Sequence, residues 1–385
     1  AVLAGCMMFT LLPVVAFAAS GTFTIGSNSY ETETDIPEQE LGGGTISYDA
    51  ETHTLTLNDV NIEDSSHDWV IDFNDMDTLL NLVLVGKNIL NGHGGISAPK
   101  LKISGNGSLQ ITATDFDGIA GAGQSEENLT IGSAVDITAM NGCAIVFNGS
   151  VRIENGATVK ARCLYSGIDC YDLTIDSATE VNLESTEEKR NAICVHGNND
   201  GTVAGTANIK NSKLVLKSGY PAFYAKDGIE ISGGSVEAVS TSDAGIFTRG
   251  ELSITDAAKV HVSGYRGIGS NGQTTIGEAD IEIDSTNFSI VNPVQIENGN
   301  KVLSLMGGKN KESATVLNPD DFVWDRPDPD CIGKNAYLHI ITGAVAGPDE
   351  TPDPDAGYDA SSAAGGAIAA VAVGGAAIWG GYEIA

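Results

Sequence analysis

One short phrase, mostly apolar at both ends, recurs through the middle of this chain. It reads Leu101-Lys102-Ile103, Leu129-Thr130-Ile131, Val151-Arg152-Ile153, Leu173-Thr174-Ile175, Ala207-Asn208-Ile209, Ile229-Glu230-Ile231, Leu252-Ser253-Ile254 and Thr274-Thr275-Ile276. Successive copies lie 28, 22, 22, 34, 22, 23 and 22 residues apart. A fixed period in this range means stacked supersecondary units, each too small to bury its own apolar face. A second apolar pair follows each phrase, as in Leu109/Ile111, Val135/Ile137, Val159/Ala161 and Val181/Leu183, and a third short segment precedes it. The third segments include Gly118-Ile119, Gly142-Cys143, Gly167-Ile168 and Gly245-Ile246. Alternating apolar and polar residues describe strands with one buried face. Turn formers such as Glu154-Asn155-Gly156 and Ser232-Gly233-Gly234 separate them. Three strands, three turns and no amphipathic helix predict an all-β, single-stranded, right-handed parallel β-helix of about 22 residues per coil. The Leu-x-x-Leu-x-Leu run of a leucine-rich repeat does not recur with this period, and a propeller blade needs roughly 40 residues or more.

The long step between Leu173 and Ala207 holds the polar run Glu184 to Arg190 and the run Gly197-Asn198-Asn199-Asp200-Gly201. Insertions in a solenoid become loops on one face, either binding loops or tolerated surface loops.

The chain carries 51 Asp and Glu against 20 Lys and Arg, a net charge of −31. That field repels nucleic acid phosphates and anionic membrane surfaces, and it suits a solvated extracellular surface. Residues 1–18 form an apolar run ending Ala16-Phe17-Ala18, the h-region and cleavage site of a signal peptide. With no initiating Met and no basic n-region, the start is expected to be clipped. Residues 19–345 are then the β-helix and 346–362 an acidic Pro/Asp linker. Residues 363–385 form a Gly/Ala-rich hydrophobic segment whose stretch Ala363 to Tyr382 is uncharged and long enough to span a bilayer. Contact with a bilayer is expected through that segment alone, with a flexible spacer as the alternative. Five cysteines follow the signal peptide: Cys143, Cys163, Cys170, Cys194 and Cys331. No C-x-x-C spacing suggests zinc, so core packing is the expectation and a disulfide between neighbouring coils stays open.

A second pattern stands ahead of the repeats. Ile46-Ser47-Tyr48-Asp49 and Thr54-Leu55-Thr56-Leu57-Asn58 are two strands around a turn, with Val60 and Ile62 continuing inward. This stretch resembles the opening coil of secreted bacterial carbohydrate-binding domain-containing proteins, and the resemblance extends over roughly residues 20–340. It implies a pectate-lyase-like β-helix that binds polysaccharide, in some relatives with calcium, on proteins anchored at the bacterial cell surface. No family site residue maps onto this sequence.

The residues themselves offer a binding column. Three positions before each third-strand apolar residue stand Phe116, Met140, Tyr165, Arg190, Tyr220, Asp243 and Tyr265. Aromatics fall on alternate coils, about 9.6 Å apart if coils are spaced as strands are. Such a column suits stacking on the apolar faces of sugars in an extended glycan. Arg190, Arg249 and Arg266 could pair with uronate carboxylates in a bidentate manner. Corner packing of the same rings is the competing reading, because a one-residue slip exchanges the faces. For calcium, the oxygen-rich runs are Asp72, Asp75 and Asp77, and then Asp115 and Asp117. Solvated turn acids compete with that assignment.

Catalysis is not expected. An inverting hydrolase needs paired carboxylates with room for water, and only Cys194-Val195-His196-Gly197 echoes such a site. Arg249 and Arg266 are thin candidates for the basic group of a lyase. The expectation is therefore a surface-anchored, noncatalytic polysaccharide-binding or adhesion module. A polysaccharide lyase or glycoside hydrolase on the same fold, and a structural surface spacer, remain the alternatives.

Overall fold

The computed structural model describes residues 21–121, 127–291, 294–319 and 334–344. The expected signal peptide, linker and anchor, together with Cys331, lie outside these residues. Among the described residues, no helix is long and apolar enough to cross a membrane.

The described chain is all β, with a short 3-10 turn at Lys311–Ser313. It winds into a parallel solenoid of about ten turns with ~23 residues per coil. Each coil contributes one strand to each of three faces, and like strands pair in parallel with those of the coils on either side. On the first face Ile103 lies beside Ile131, followed by Ile153, Ile175, Ile209, Ile231, Ile254, Ile276 and Ile296. On the second, Leu109, Val135, Val159, Val181, Leu214, Val236, Val260 and Ile281 stack in the same way. The third face stacks Ile96, Ile119, Ile145, Ile168, Ile193, Phe223, Ile246, Ile268 and Ile290. These ladders form one continuous core, and almost every member is at most 2% exposed. Burying each such side chain contributes roughly 1.5–3 kcal/mol, so the ladder rather than any single coil stabilises the fold.

The turns follow from local chemistry. Between the first and second faces of one coil, Asn155 (φ 57) and Gly156 (φ 76) both adopt left-handed backbone, which these two residue types tolerate best. Both ends of the stack are capped by antiparallel strands, which keep parallel edges from recruiting another chain. Thr22–Ile25 runs antiparallel to the strand Asn61–Phe73, and Tyr337–Ala344 runs antiparallel to Ala279–Ile290.

One strand assignment is corrected. Ile145 points inward in its coil, whereas Cys143 precedes the strand Ile145–Ile153 and is half-buried. Both residues are apolar and two apart, so alternation alone cannot choose between them. Pairing with Ile119 and Ile168 does. Cys163 and Cys170 are buried as packing groups, Cys194 is half-buried, and all four described cysteines are free thiols.

The second face is lined by compensated charge. Lys160 and Lys213 flank Glu180 at 3.7 and 2.7 Å, and Lys217 reaches Glu184 at 3.0 Å. These pairs are solvent-exposed and each contributes about 0–1 kcal/mol. Aromatic side chains are concentrated elsewhere.

Candidate functional site on the third face

Outward positions on the third face follow directly from the inward ladder. One residue beyond each inward residue stand Asp72, Ser97, Ala120, Val146, Asp169, Cys194, Tyr224, Phe247 and Gly269, stacked in register. Two residues further along, Tyr171, His196, Lys226 and Arg249 form a second outward row, set by the hydrogen bonds His196 N–H to Cys170 O, Lys226 N–H to Val195 O and Arg249 N–H to Ala225 O. The outward side chains are small at Ser97 and Ala120, then polar and aromatic from Asp169 onward.

The irregular coil frames this second half. Residues 186–192 connect Glu180–Ser185 to Ile193–Val195, and residues 196–205 connect that strand to Thr206–Lys210. The extra residues of the 34-residue step therefore flank one third-face strand on its two sides, at Cys194 and His196. The second loop is tied down: Gly205 N–H donates to Asp227 Oδ2 at 2.8 Å, and Thr206 Oγ1 donates to Asp172 Oδ1 at 2.6 Å.

Between the loops, His196 Nε2 lies 2.9 Å from Asp169 Oδ1 and its Nδ1 lies 2.9 Å from Gly197 O. An imidazolium satisfies both acceptors at once, whereas a neutral ring can donate to only one. The hydrogen bond to Asp169 accordingly raises the His196 pKa above its ordinary value, against the opposing effect of burial. Tyr171 meets the imidazole edge-on, with ring centroids 5.2 Å apart. Next along the face, Tyr224 and Phe247 stack at 6.2 Å and 15°, forming a single apolar platform over two coils. Burial raises the Tyr224 pKa, while Arg249 hydrogen-bonds its hydroxyl. Burial also pushes the Cys194 thiol to about 12, and the Asp169 charge adds to the rise, so Cys194 is a packing group rather than a nucleophile at neutral pH.

The expected aromatic column lies along the adjoining corner. Phe116, Tyr165 and Tyr220 sit in turns rather than in extended strand, and Tyr265 sits within the long strand Ala258–Ser270. Backbone bonds from Tyr165 N to Gly142 O, Tyr220 N to Arg190 O and Tyr265 N to Asp243 O fix the stacking order. The aromatic rings thus fall on alternate coils, with Gly142, Arg190 and Asp243 in the coils between. A buried group at the end of the preceding strand holds two of these corners. Cys163 Sγ donates to Tyr165 O at 3.3 Å, and Ser218 Oγ donates to Tyr220 O at 2.7 Å. Phe116, Tyr220 and Tyr265 are 41%, 46% and 50% exposed, which is high for aromatic rings and leaves them available to a ligand.

The three arginines separate. Arg190 lies over the Tyr165 ring, 4.8 Å from its centroid. Arg249 reaches Tyr224 on the face, and Arg266 Nη2 pairs with Asp243 Oδ1 at 2.6 Å.

The acidic candidates separate as well. Asp115 binds His93 Nδ1 at 2.5 Å and Thr114 Oγ1 at 2.7 Å, whereas Asp117 accepts the Cys143 N–H at 2.6 Å. Asp75 is turned into its own loop, accepting from Asp77 N–H and from Thr78 Oγ1. Asp77 is exposed. Asp72 Oδ2 accepts from Asn74 at 2.8 Å, while its Oδ1 is buried without a hydrogen-bond partner. Among the described residues, no group of three or more His, Cys, Asp or Glu side chains is arranged to hold a metal ion.

Sequence reasoning reached the corner column but not Asp169, Tyr171, Tyr224, Lys226 or Phe247, and weighed His196 only as a trace of catalysis. A usable signal was present: counting one and three residues past each inward third-strand residue yields these two rows. Comparison with protein-family models, curated proteins and solved structures returned no match.

Proposed function

We propose that this protein is a secreted, noncatalytic polysaccharide-binding module that receives an extended glycan along its third face. The observation that carries the reading is the aromatic distribution. Phe116, Tyr165, Tyr220 and Tyr265 occupy alternate coils of one corner, about 9.6 Å apart axially by strand spacing. Tyr171, Tyr224 and Phe247 lie on the adjoining strand face. Rings repeating along a rigid stack suit a repeating ligand, and the loops at 186–192 and 196–205 add polar groups where the glycan would cross. The acidic terminal linker and apolar end segment support display at the bacterial surface.

A pull-down of the full chain on cellulose, xylan, pectate and mucin glycans, with calcium and with chelator, tests the reading. Binding without release of reducing or unsaturated ends supports it, and calcium dependence would bring the acidic runs back as ligands. No binding to any of these polymers sinks it and leaves the structural spacer. A hydrolase reading draws on Asp169–His196 and on Asp117, whose burial raises its pKa toward that of a proton donor. Product release in the same assay would put that reading first.

A further inference from the structure

The third face is not uniform in charge. Arg190, Lys226 and Arg249 all belong to its C-terminal half. Its N-terminal end holds a concavity of about 570 Å³, within the roughly 300–1,000 Å³ range of small-molecule sites. Asp68, Trp69, Asp72, Asn74, Ser97 and Gly121 are among its lining residues. Among the described residues that line it there is no Lys or Arg. The basic group among these described residues, His67, already has its Nδ1 2.8 Å from Asp64.

Two features make this concavity a recognition site rather than a gap between turns. Trp69 is only half-buried, and its place is fixed by stacking on Phe116 at 5.9 Å and 25°. Asp72 keeps one buried carboxylate oxygen without a partner, although its other oxygen is bonded to Asn74. Leaving a buried acceptor unsatisfied is costly, so a group that donates to it gains more than an ordinary exchange with water. Asp72 lines the concavity, so a rotation of its carboxylate would turn that oxygen toward a hydroxyl of a ring stacked against Trp69. Asp68 and Asp72 would repel a uronate at the same place.

We infer that this N-terminal concavity is a subsite for one non-anionic sugar ring of the bound glycan, with Trp69 as the stacking partner and Asp72 as the acceptor of a ring hydroxyl. The inference rests on the polysaccharide reading above and narrows it. The glycan is neutral or amino-bearing where it meets the first coils, and any acidic residues it carries face Arg190, Lys226 and Arg249.

The test is titration of the full chain with cellohexaose, a glucosamine hexamer and hexagalacturonate in chelator, followed by calorimetry and tryptophan fluorescence. The chain has three tryptophans, so the Trp69 signal is the difference between wild type and Trp69→Phe. The expected result is that at least one of the first two hexamers binds and perturbs Trp69, with affinity falling about tenfold in Trp69→Ala and again in Asp72→Ala, while hexagalacturonate leaves Trp69 unperturbed. Asp72→Asn keeps the shape of the side chain and guards against a folding artefact, and it should weaken binding less than Asp72→Ala. Hexamer binding that neither Trp69→Ala nor Asp72→Ala weakens overturns the subsite, as does perturbation of Trp69 by hexagalacturonate. Polymer binding without any hexamer binding overturns the subsite but leaves the polysaccharide reading standing. Loss of all polymer binding in the wild type removes both.

Discussion

The indole of Trp69 stacks on the ring of Phe116 although a whole coil lies between them. Trp69 is in register with Gly94 of the next strand, and Phe116 N–H bonds to His93 O of that same coil. The stack closes over Gly94 because glycine leaves the space above the backbone open. A Cβ at Gly94 would lie 2.6 and 2.8 Å from two indole carbons.

Gly94→Ala should therefore displace the indole or strain the coil. Overpacking of this kind costs about 1–3 kcal/mol, and losing the ring stack costs about 0.5–1.5 kcal/mol. Thermal unfolding should show a lowered midpoint, and tryptophan emission should shift to the red. An unchanged emission maximum would mean that the indole does not depend on the gap.

Core damage should spread by proximity. Ile231 is fully buried and in register with Ile209 and Ile254. Ile231→Asp places a carboxylate among apolar ladders and should cost about 4 kcal/mol or more. Hydrogen exchange should then rise in the coils of Ile209 and Ile254 well before that of Ile103, since stability in a solenoid is carried by nearest neighbours. Uniform loss of protection along the chain would contradict that picture.

The Asp169–His196 contact should depend on pH. Because Asp169 raises the folded-state pKa of His196, the pair stabilises the fold fully below the unfolded histidine pKa of about 6.5. That contribution is lost as pH rises through the higher folded value. His196→Gln should thus lower the unfolding midpoint at pH 5.5 and progressively less in alkaline buffer. An NMR titration that places the His196 pKa at or below 6.5 would refute the contact as drawn.

Asp117 carries the opposite lesson for a carboxylate. Burial raises its pKa, and the nearby charge of Asp169 adds to the rise, although the Cys143 N–H partly offsets both. A carboxyl with a raised folded pKa favours folding at pH below its unfolded value near 3.8 and disfavours it once ionised. Asp117→Asn keeps an acceptor for the Cys143 N–H and removes the charge. The variant should unfold at a higher temperature than wild type at pH 7, with the difference shrinking toward pH 3.5. A destabilised variant at pH 7 would show that the ionised carboxylate is needed in place.

The roughly 22-residue recurrence of Leu-x-Ile phrases was enough to determine the solenoid, its three strands per coil and the inward identity of residues such as Ile103, Ile137 and Ile231. Those features depend on period and apolarity, which are properties of sequence order. The alternate-coil placement of Tyr165, Tyr220 and Tyr265 was legible for the same reason. Tertiary structure alone decided the rest. Only parallel pairing could choose Ile145 over Cys143, since alternation treats two apolar residues of equal parity alike. Only the winding of the chain could bring Asp169 to His196 across the length of a coil, or Trp69 to Phe116 over Gly94. Contacts between coils depend on register and on the direction of side chains in space, and neither is written in the spacing of any one strand.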